Sequence, residues 1–86
     1  MKSSATPDFW ESYKALPFDV RGRAKRAYRI WRRNPRHPSL HFKKAGGAWS
    51  VRIDRDHRAL ALREGDTLFW FWIGDHDEYE RMLRRW

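Results

Sequence analysis

The spacing of the apolar residues changes near Pro35 from a helical period to a strand period. Before Pro35, apolar residues recur three or four positions apart, which is the spacing of one buried helix face. After Pro35, apolar and polar residues alternate over short runs, as they do in strands with one buried face. Because helices and strands are segregated along the chain, the pattern predicts an α+β domain.

The first part of the chain predicts a helical hairpin. Residues 7–16 carry apolar residues at helical spacing and end at Pro17. Residues 19–33 form a longer helix with Asp19 as its N-cap, and Pro35 prevents its continuation. This helix could bind phosphates, dock an acidic partner segment or simply be solvated on its basic face. The basic face carries Arg21, Arg23, Lys25, Arg26, Arg29, Arg32 and Arg33.

The second part of the chain predicts an antiparallel meander and a closing helix. Gly74 is expected to end the last strand, and residues 76–85 form a helix with Asp75 as its N-cap. The predicted architecture is two N-terminal helices packed on a three- to four-stranded antiparallel sheet, followed by a short C-terminal helix. The strands are expected at 40–44, 49–53, 57–63 and 67–73, with tight turns at 54–56 and 64–66.

Length and composition limit the classes of protein and of site. With 86 residues the chain is expected to form one domain, 1–86, with residues 1–7 as a flexible N-terminal tail. The absence of cysteine excludes disulfides and thiol nucleophiles and fits a reducing cytoplasm. The longest apolar run, residues 68–73, is too short to cross a membrane, and no secretion signal follows Met1, so a cytoplasmic protein without a membrane partner is expected. The histidines and aspartates lack a metal-ligand spacing, so no metal or other cofactor is predicted.

Strand alternation predicts a pair of arginines on one face of the sheet. Trp49 and Val51 face the helices in this prediction, so Arg52 faces away from them, and Arg58 on the next strand can face the same side. Like charges on neighbouring strands repel, and a bound anion would relieve the repulsion, since guanidinium groups suit phosphate geometry. The net charge of +8 also favours a polyanionic partner. The alternative is that both arginines are solvated.

His76 follows the apolar strand directly, where a strand that leads into a helix can present side chains to a cleft. Histidine is the side chain best suited to proton transfer near neutral pH. Beside Arg52 and Arg58 it would complete the minimum for metal-free RNA cleavage, in which the ribose 2′-hydroxyl attacks the adjacent phosphate. The alternative is that His76 only helps to cap the helix. Tyr79 shares its helical face and is expected either to stack on a base of bound RNA or to belong to the core.

Three segments resemble the RelE/ParE family of toxins. Residues 34–44, NPRHPSLHFKK, are similar to the junction between helix and strand in that family. The segments WSVRI (49–53) and HRAL (57–60) resemble its central hairpin. Residues 72–79, WIGDHDEY, resemble the Ile-Gly-x-His ending of several members. The resemblance covers residues 8–85, and the predicted elements follow the family's order.

The resemblance implies a function and a set of partners. Members are toxins of toxin–antitoxin pairs, and many cut mRNA in the ribosomal A site with basic and proton-transferring residues on the concave face of the sheet. The resemblance therefore implies a cognate antitoxin, the ribosome and mRNA as partners, with operator DNA bound only through the antitoxin.

The resemblance also implies roles for individual residues. Arg52 matches a basic residue of the second strand, Arg58 matches an arginine that contacts the scissile phosphate, and His76 matches a histidine or arginine after the last strand. Lys43 and Lys44 fall near basic residues that bind RNA. RelE itself has paired lysines on the second strand, where this chain has an arginine. An arginine stays protonated and is a poor general base, so His76 is left to act as base or as acid.

Three functions follow from the sequence. The first is a ribosome-dependent mRNA endoribonuclease, which the combination of Arg52, Arg58 and His76 favours. The second is a ParE-like inhibitor of DNA gyrase, because one fold can carry different functions. The third is a non-catalytic member that binds nucleic acid.

Overall fold

The structure, a computed structural model, describes residues 1–85 and contains the predicted helices and strands together with one further strand. Trp86, the last residue of the predicted domain, lies outside the described residues. The helices are α1 (Pro7–Lys14), α2 (Phe18–Arg33) and α3 (His76–Arg85). In the described part of the chain, none of them is long and apolar enough to cross a membrane. The strands are β1 (Lys2–Ala5), β2 (Lys43–Ala45), β3 (Ala48–Arg52), β4 (His57–Glu64) and β5 (Thr67–Asp75).

The strands form one mixed sheet in the order β1-β5-β4-β3-β2. Strands β2 to β5 form the predicted antiparallel meander, and β1 pairs with β5 in parallel. The prediction of a flexible tail is therefore wrong for Lys2–Ala5, which pairs with β5 from Thr67 to Trp70. This pairing satisfies backbone groups at an otherwise exposed sheet edge. The segment KSSA has no apolar alternation, so its pattern does not indicate a strand.

Two predicted features of the helical hairpin are corrected. Helix α1 ends at Lys14, two residues before the predicted end. Helix α2 begins at Phe18, its N-cap is Pro17, and no side chain caps it. Asp19, the predicted N-cap, instead lies inside the first turn, and its carboxylate pairs with Arg23 at 3.3 Å.

The junctions around the meander differ in part from the prediction. The strand expected at 40–44 is shorter, because Leu40 belongs to a 3-10 turn and β2 begins at Lys43. Strand β5 does not end at Gly74 but continues to Asp75, since both residues stay paired with β4. The predicted N-cap of α3 is confirmed: Asp75 Oδ1 accepts a hydrogen bond from the Glu78 backbone N–H at 2.9 Å.

The main core lies between the helical hairpin and one face of the sheet. Trp31 is 2% exposed, and its ring packs edge-on against Trp70 of β5 with the centroids 5.5 Å apart. The buried residues of α2 are Val20, Ala24, Ala27 and Trp31, which recur at helical spacing. Tyr28, one position after Ala27, is 42% exposed.

Helix α3 covers the other face of the sheet and forms a smaller second core. Leu60 and Trp72 meet Tyr79 there, and all three are buried. A β-bulge divides β5 between the two cores, because Leu60 pairs with Trp72 whereas Ala61 pairs with Trp70. Trp70 and Trp72 therefore join opposite cores, although residues two apart in a regular strand share a face.

Candidate functional site

The two predicted arginines are direct neighbours across the sheet. Arg52 at the end of β3 pairs in register with Arg58 at the start of β4, and Arg58 pairs in turn with Gly74 of β5. Directly opposite residues of antiparallel strands project from the same face. Both arginines therefore lie on the face covered by α3, at the end of the sheet where α3 begins, and both are half-buried.

Arg58 is held by backbone carbonyls. Its Nη1 donates hydrogen bonds to the carbonyl oxygens of Asp54 at 2.8 Å and of His57 at 3.0 Å. A guanidinium has five N–H donors, and within residues 1–85 the remaining donors of Arg58 and all those of Arg52 form no hydrogen bond or ion pair. The arrangement fixes one guanidinium and leaves its other edge, with Arg52 beside it, available to an anion.

The Trp72 indole forms an apolar surface next to the arginine pair. A Cβ added at Gly74 would lie 2.5 Å from Cζ2 of Trp72, so the ring lies directly over Gly74. Gly74 is the register partner of Arg58. Apolar surroundings reduce screening by water and strengthen the attraction between a guanidinium and a phosphate.

His76 is joined to the same end of the sheet through its backbone. Its N–H donates to the Asp56 carbonyl at 2.7 Å, which connects the start of α3 to the turn between β3 and β4. The His76 ring stacks on Tyr79 with a centroid separation of 5.8 Å, and its Nε2 lies 3.3 Å from Glu80 Oε1. The side chain of His76 is 45% exposed, and its Nδ1 has no hydrogen-bond partner among residues 1–85.

Tyr79 lies in the second core. It is 6% exposed, so its ring supports His76 instead of facing solvent. The sequence left open whether Tyr79 stacks on RNA or belongs to the core. Its burial supports the core position.

The two lysines of β2 lie on opposite faces of the sheet. Lys43 pairs with Ser50, which alternates with Arg52 along β3 and shares its face. Lys44 pairs with Trp49, which packs against the main core on the helical side. Register thus brings Lys43 to the arginine face and Lys44 to the other, and both side chains are exposed.

A polar cluster beside the arginines was not predicted from the sequence. Asp54 Oδ1 accepts hydrogen bonds from the Asp56 backbone N–H at 2.8 Å and from His57 Nδ1 at 2.9 Å. Its Oδ2 accepts from Arg23 Nη1 of α2 at 3.3 Å. Burial alone would raise the pKa of the Asp54 carboxyl, but the hydrogen bonds from His57, Asp56 and Arg23, together with the charge of His57, lower it overall. The Asp-x-Asp-His spacing indicates only the local turn.

A cavity within the described residues lies away from this site. It has a volume of about 450 Å³ and lies between the helical hairpin and the sheet, where aromatic rings such as those of Phe9, Tyr13 and Trp31 line it. None of the predicted site residues lines this cavity. We assign the candidate site to the arginine face, because the cavity has no group suited to proton transfer near neutral pH.

Comparisons with known proteins agree with this fold. A family model described as the ParE-like toxin domain matches residues 19–81. A search of curated proteins gave no match. Among solved structures, a YoeB/ParE toxin from Agrobacterium tumefaciens has 21% identity and a TM-score of 0.67, with 88% of this chain and 99% of that chain covered.

Two further solved structures have similar scores. The RelB–RelE antitoxin–toxin complex from Methanococcus jannaschii has 16% identity and a TM-score of 0.70, with 91% and 95% coverage of this chain and of that chain. YafQ from Escherichia coli strain BL21(DE3) has 12% identity and a TM-score of 0.69, with 91% and 96% coverage. At these identities the structures establish a shared fold, and the family match extends over most of the sequence. The chain therefore belongs to the ParE-like toxin domain family.

Proposed function

We propose that this protein is the toxin of a toxin–antitoxin pair and acts as a ribosome-dependent mRNA endoribonuclease. One observation carries the proposal: Arg52 and Arg58 are paired on adjacent strands, at the end of the sheet to which His76 is hydrogen-bonded. Two cations and a histidine supply the charge stabilisation and one of the two proton transfers that cleavage of an RNA phosphodiester without a metal requires.

The reaction is an attack by the ribose 2′-hydroxyl on its own 3′-phosphate. The new O–P bond forms a 2′,3′-cyclic phosphate, and the bond from phosphorus to the 5′-oxygen of the next nucleotide breaks. The 2′-hydroxyl loses a proton and the departing 5′-oxygen gains one. Arg52 and Arg58 stabilise the charge that grows on the non-bridging oxygens.

His76 carries one of the two proton transfers. With Nε2 directed at Glu80, Nδ1 is the ring nitrogen available to the substrate. Tyr79 keeps the ring plane fixed by stacking on it. The second transfer is left to the solvent or to the ribosome, because neither arginine gives up a proton readily.

The proposed partners follow from the family. The similar structures include complexes described as RelB–RelE antitoxin–toxin complexes. We propose a cognate antitoxin for this chain, with operator DNA bound only through it, and a cytoplasmic site of action. Lys43 is assigned to RNA binding because it shares the arginine face, and Lys44 to a contact on the other side of the sheet.

The test is induced expression followed by mapping of mRNA 5′ ends. Wild-type protein should produce new ends inside translated codons, and His76→Ala should remove them. His37→Ala is the matched control, because it also removes an exposed histidine, and we expect it to leave the ends unchanged. Growth arrest with intact mRNA would exclude the nuclease.

Inhibition of DNA gyrase is the second candidate, and the ParE-like description of the matching family favours it. Such a protein would inhibit supercoiling by purified gyrase, and His76→Ala would have little effect on it. A non-catalytic member would bind RNA and give neither new mRNA ends nor inhibition of gyrase.

A further inference from the structure

The turn between β3 and β4 holds two groups of the candidate site. Arg58 Nη1 donates to the carbonyl oxygens of Asp54 and His57, at 2.8 Å and 3.0 Å. The backbone N–H of His76 donates to the carbonyl oxygen of Asp56 at 2.7 Å. The positions of the Arg58 guanidinium and of the first residue of α3 therefore depend on the backbone path from Asp54 to His57.

The Asp54 carboxylate determines that path. One oxygen accepts from the Asp56 N–H at 2.8 Å and from His57 Nδ1 at 2.9 Å. The side chain of Asp54 is 19% exposed, so water competes little for these bonds. The backbone N–H groups of Ile53 and Asp54 both point to the His57 carbonyl, at 3.0 Å and 3.4 Å, and close the turn.

The second carboxylate oxygen connects the turn to another element. Asp54 Oδ2 accepts from Arg23 Nη1 at 3.3 Å, and the same Arg23 nitrogen lies 3.3 Å from Asp19. A turn of this kind needs only one side-chain acceptor, which asparagine or serine also supplies. Asp54 uses both oxygens for three donors, including one from α2, so its interactions exceed what the local turn requires.

We propose that Asp54 is a positioning residue for the cleavage reaction proposed above. Its carboxylate fixes the turn that presents the Arg58 guanidinium and His76 to the scissile phosphate. This inference rests on the proposed function for its effect on cleavage. Its structural part, the restraint on Arg58, is independent of that function and is measured separately.

The first measurement is cleavage of mRNA on programmed ribosomes. Asp54→Ala should slow cleavage at least about tenfold at saturating toxin, because a misplaced guanidinium loses contact with the transition state. Asp56→Asn is the matched control, since it removes the same charge from the same turn and its side chain forms no hydrogen bond within residues 1–85. We expect the control to stay within about twofold of wild type.

A double variant separates positioning from a general loss of stability. If Asp54 acts through Arg58, the losses caused by Asp54→Ala and Arg58→Ala will not multiply when combined. If Asp54→Ala only reduced the amount of folded protein, it would lower the cleavage rate by the same factor in the wild type and in Arg58→Ala. Circular dichroism under the assay conditions gives the folded fraction of each variant.

The second measurement is the rate at which the Arg58 guanidinium rotates, which ¹⁵N NMR reports. The Arg58 signal is assigned as the one that is missing from the spectrum of Arg58→Ala. Rotation about the bond from Cζ to Nη1 should be slow in wild type and in Asp56→Asn and fast in Asp54→Ala, because Nη1 then loses its carbonyl partners. If the wild type does not cleave mRNA, the proposed function fails. The NMR measurement of rotation then tests by itself whether Asp54 restrains the Arg58 guanidinium. Full activity in folded Asp54→Ala, multiplicative losses or unchanged rotation would each overturn the proposal.

Discussion

Gly74 lies beneath the Trp72 ring at the end of β5, and this contact limits what the position accepts. Cζ2 of Trp72 would lie 2.5 Å from an added Cβ, and two further ring atoms would lie at 3.1 Å. Trp72 is 9% exposed and packs in the second core with Leu60 and Tyr79, so the ring has little room to move. The close packing of the Trp72 ring thus explains the glycine of the Ile-Gly-x-His segment, independently of any role in catalysis.

Gly74→Ala should destabilise the protein by about 1–3 kcal/mol, because the ring must leave its place in a filled core. Urea denaturation measures the change in the free energy of unfolding. Gly22→Ala is the control: a Cβ there meets no heavy atom within 4 Å. Alanine in that helix should stabilise the protein by up to about 1 kcal/mol. Equal effects of the two substitutions would contradict this account of Gly74.

Arg58→Ala should slow RNA cleavage by about 10²- to 10³-fold, the usual effect of removing one group that stabilises transition-state charge. Single-turnover cleavage on programmed ribosomes measures the rate. Arg63→Ala provides the comparison, because Arg63 lies on the same strand but is opposite Leu68 at its other end. A rate loss with Arg63→Ala as large as that with Arg58→Ala would point to net charge instead of a local site.

At the scale of elements, the Asp54 cluster predicts a dependence of stability on pH. The folded protein holds the pKa of Asp54 below its ordinary value. A lowered folded pKa contributes stability that is present above the unfolded pKa and is lost as the pH falls through the folded pKa. The unfolded pKa is about 3.9, so the contribution is complete near neutral pH and declines in acid.

Asp54→Asn should therefore cost about 1–3 kcal/mol at pH 7, the usual effect of losing hydrogen bonds to a charged group. The difference from wild type should shrink as the pH is lowered below about 4. Denaturation series at several pH values measure both effects. Asp19→Asn serves as the control, because its pair with Arg23 is more than half exposed on both sides and should contribute little. A loss for Asp54→Asn that stays constant with pH would refute the role of the charge.

The elements that sequence reasoning predicted are those whose signal is local. Apolar spacing identified α1, α2 and the strands of the meander, and Asp75 as an N-cap identified α3. Alternation predicted the shared face of Arg52 and Arg58, which the register confirms. The missed features depend on distant partners. Strand β1 is recognised only by its pairing with β5, and Asp54 meets Arg23 across 31 positions of sequence.

The two tryptophans of β5 illustrate another limit. Residues 67–73 are apolar almost throughout, so alternation does not assign their faces. The bulge opposite Leu60 decides the assignment, because it sends Trp70 and Trp72 to different cores. The sequence could not decide for a similar reason whether Tyr79 stacks on a base or packs in the core. Helical spacing relates Tyr79 to His76 but does not show that α3 packs on the sheet.

At the scale of the whole molecule, two basic surfaces lie on opposite sides of the sheet. One is the arginine face, with Lys43, Arg52 and Arg58. The other is the outer face of α2, where Arg26 and Arg29 line a shallow recess. Within the described residues, neither of these two arginines of α2 forms an ion pair. Net charge of +8 alone would attract RNA to either surface.

The salt dependence of RNA binding distinguishes the two surfaces. For single-stranded RNA, each phosphate neutralised contributes about 0.7 to the slope of log K against log salt. If RNA lies on the arginine face, Lys43→Gln with Arg52→Gln should reduce the slope by about 1.4. Arg26→Gln with Arg29→Gln removes the same charge and should leave the slope unchanged. A short RNA with a 2′-deoxy linkage, which cannot be cleaved, allows fluorescence anisotropy at several salt concentrations. If the α2 pair alone lowers the slope, RNA binds the helical surface, and the candidate site on the sheet loses its substrate.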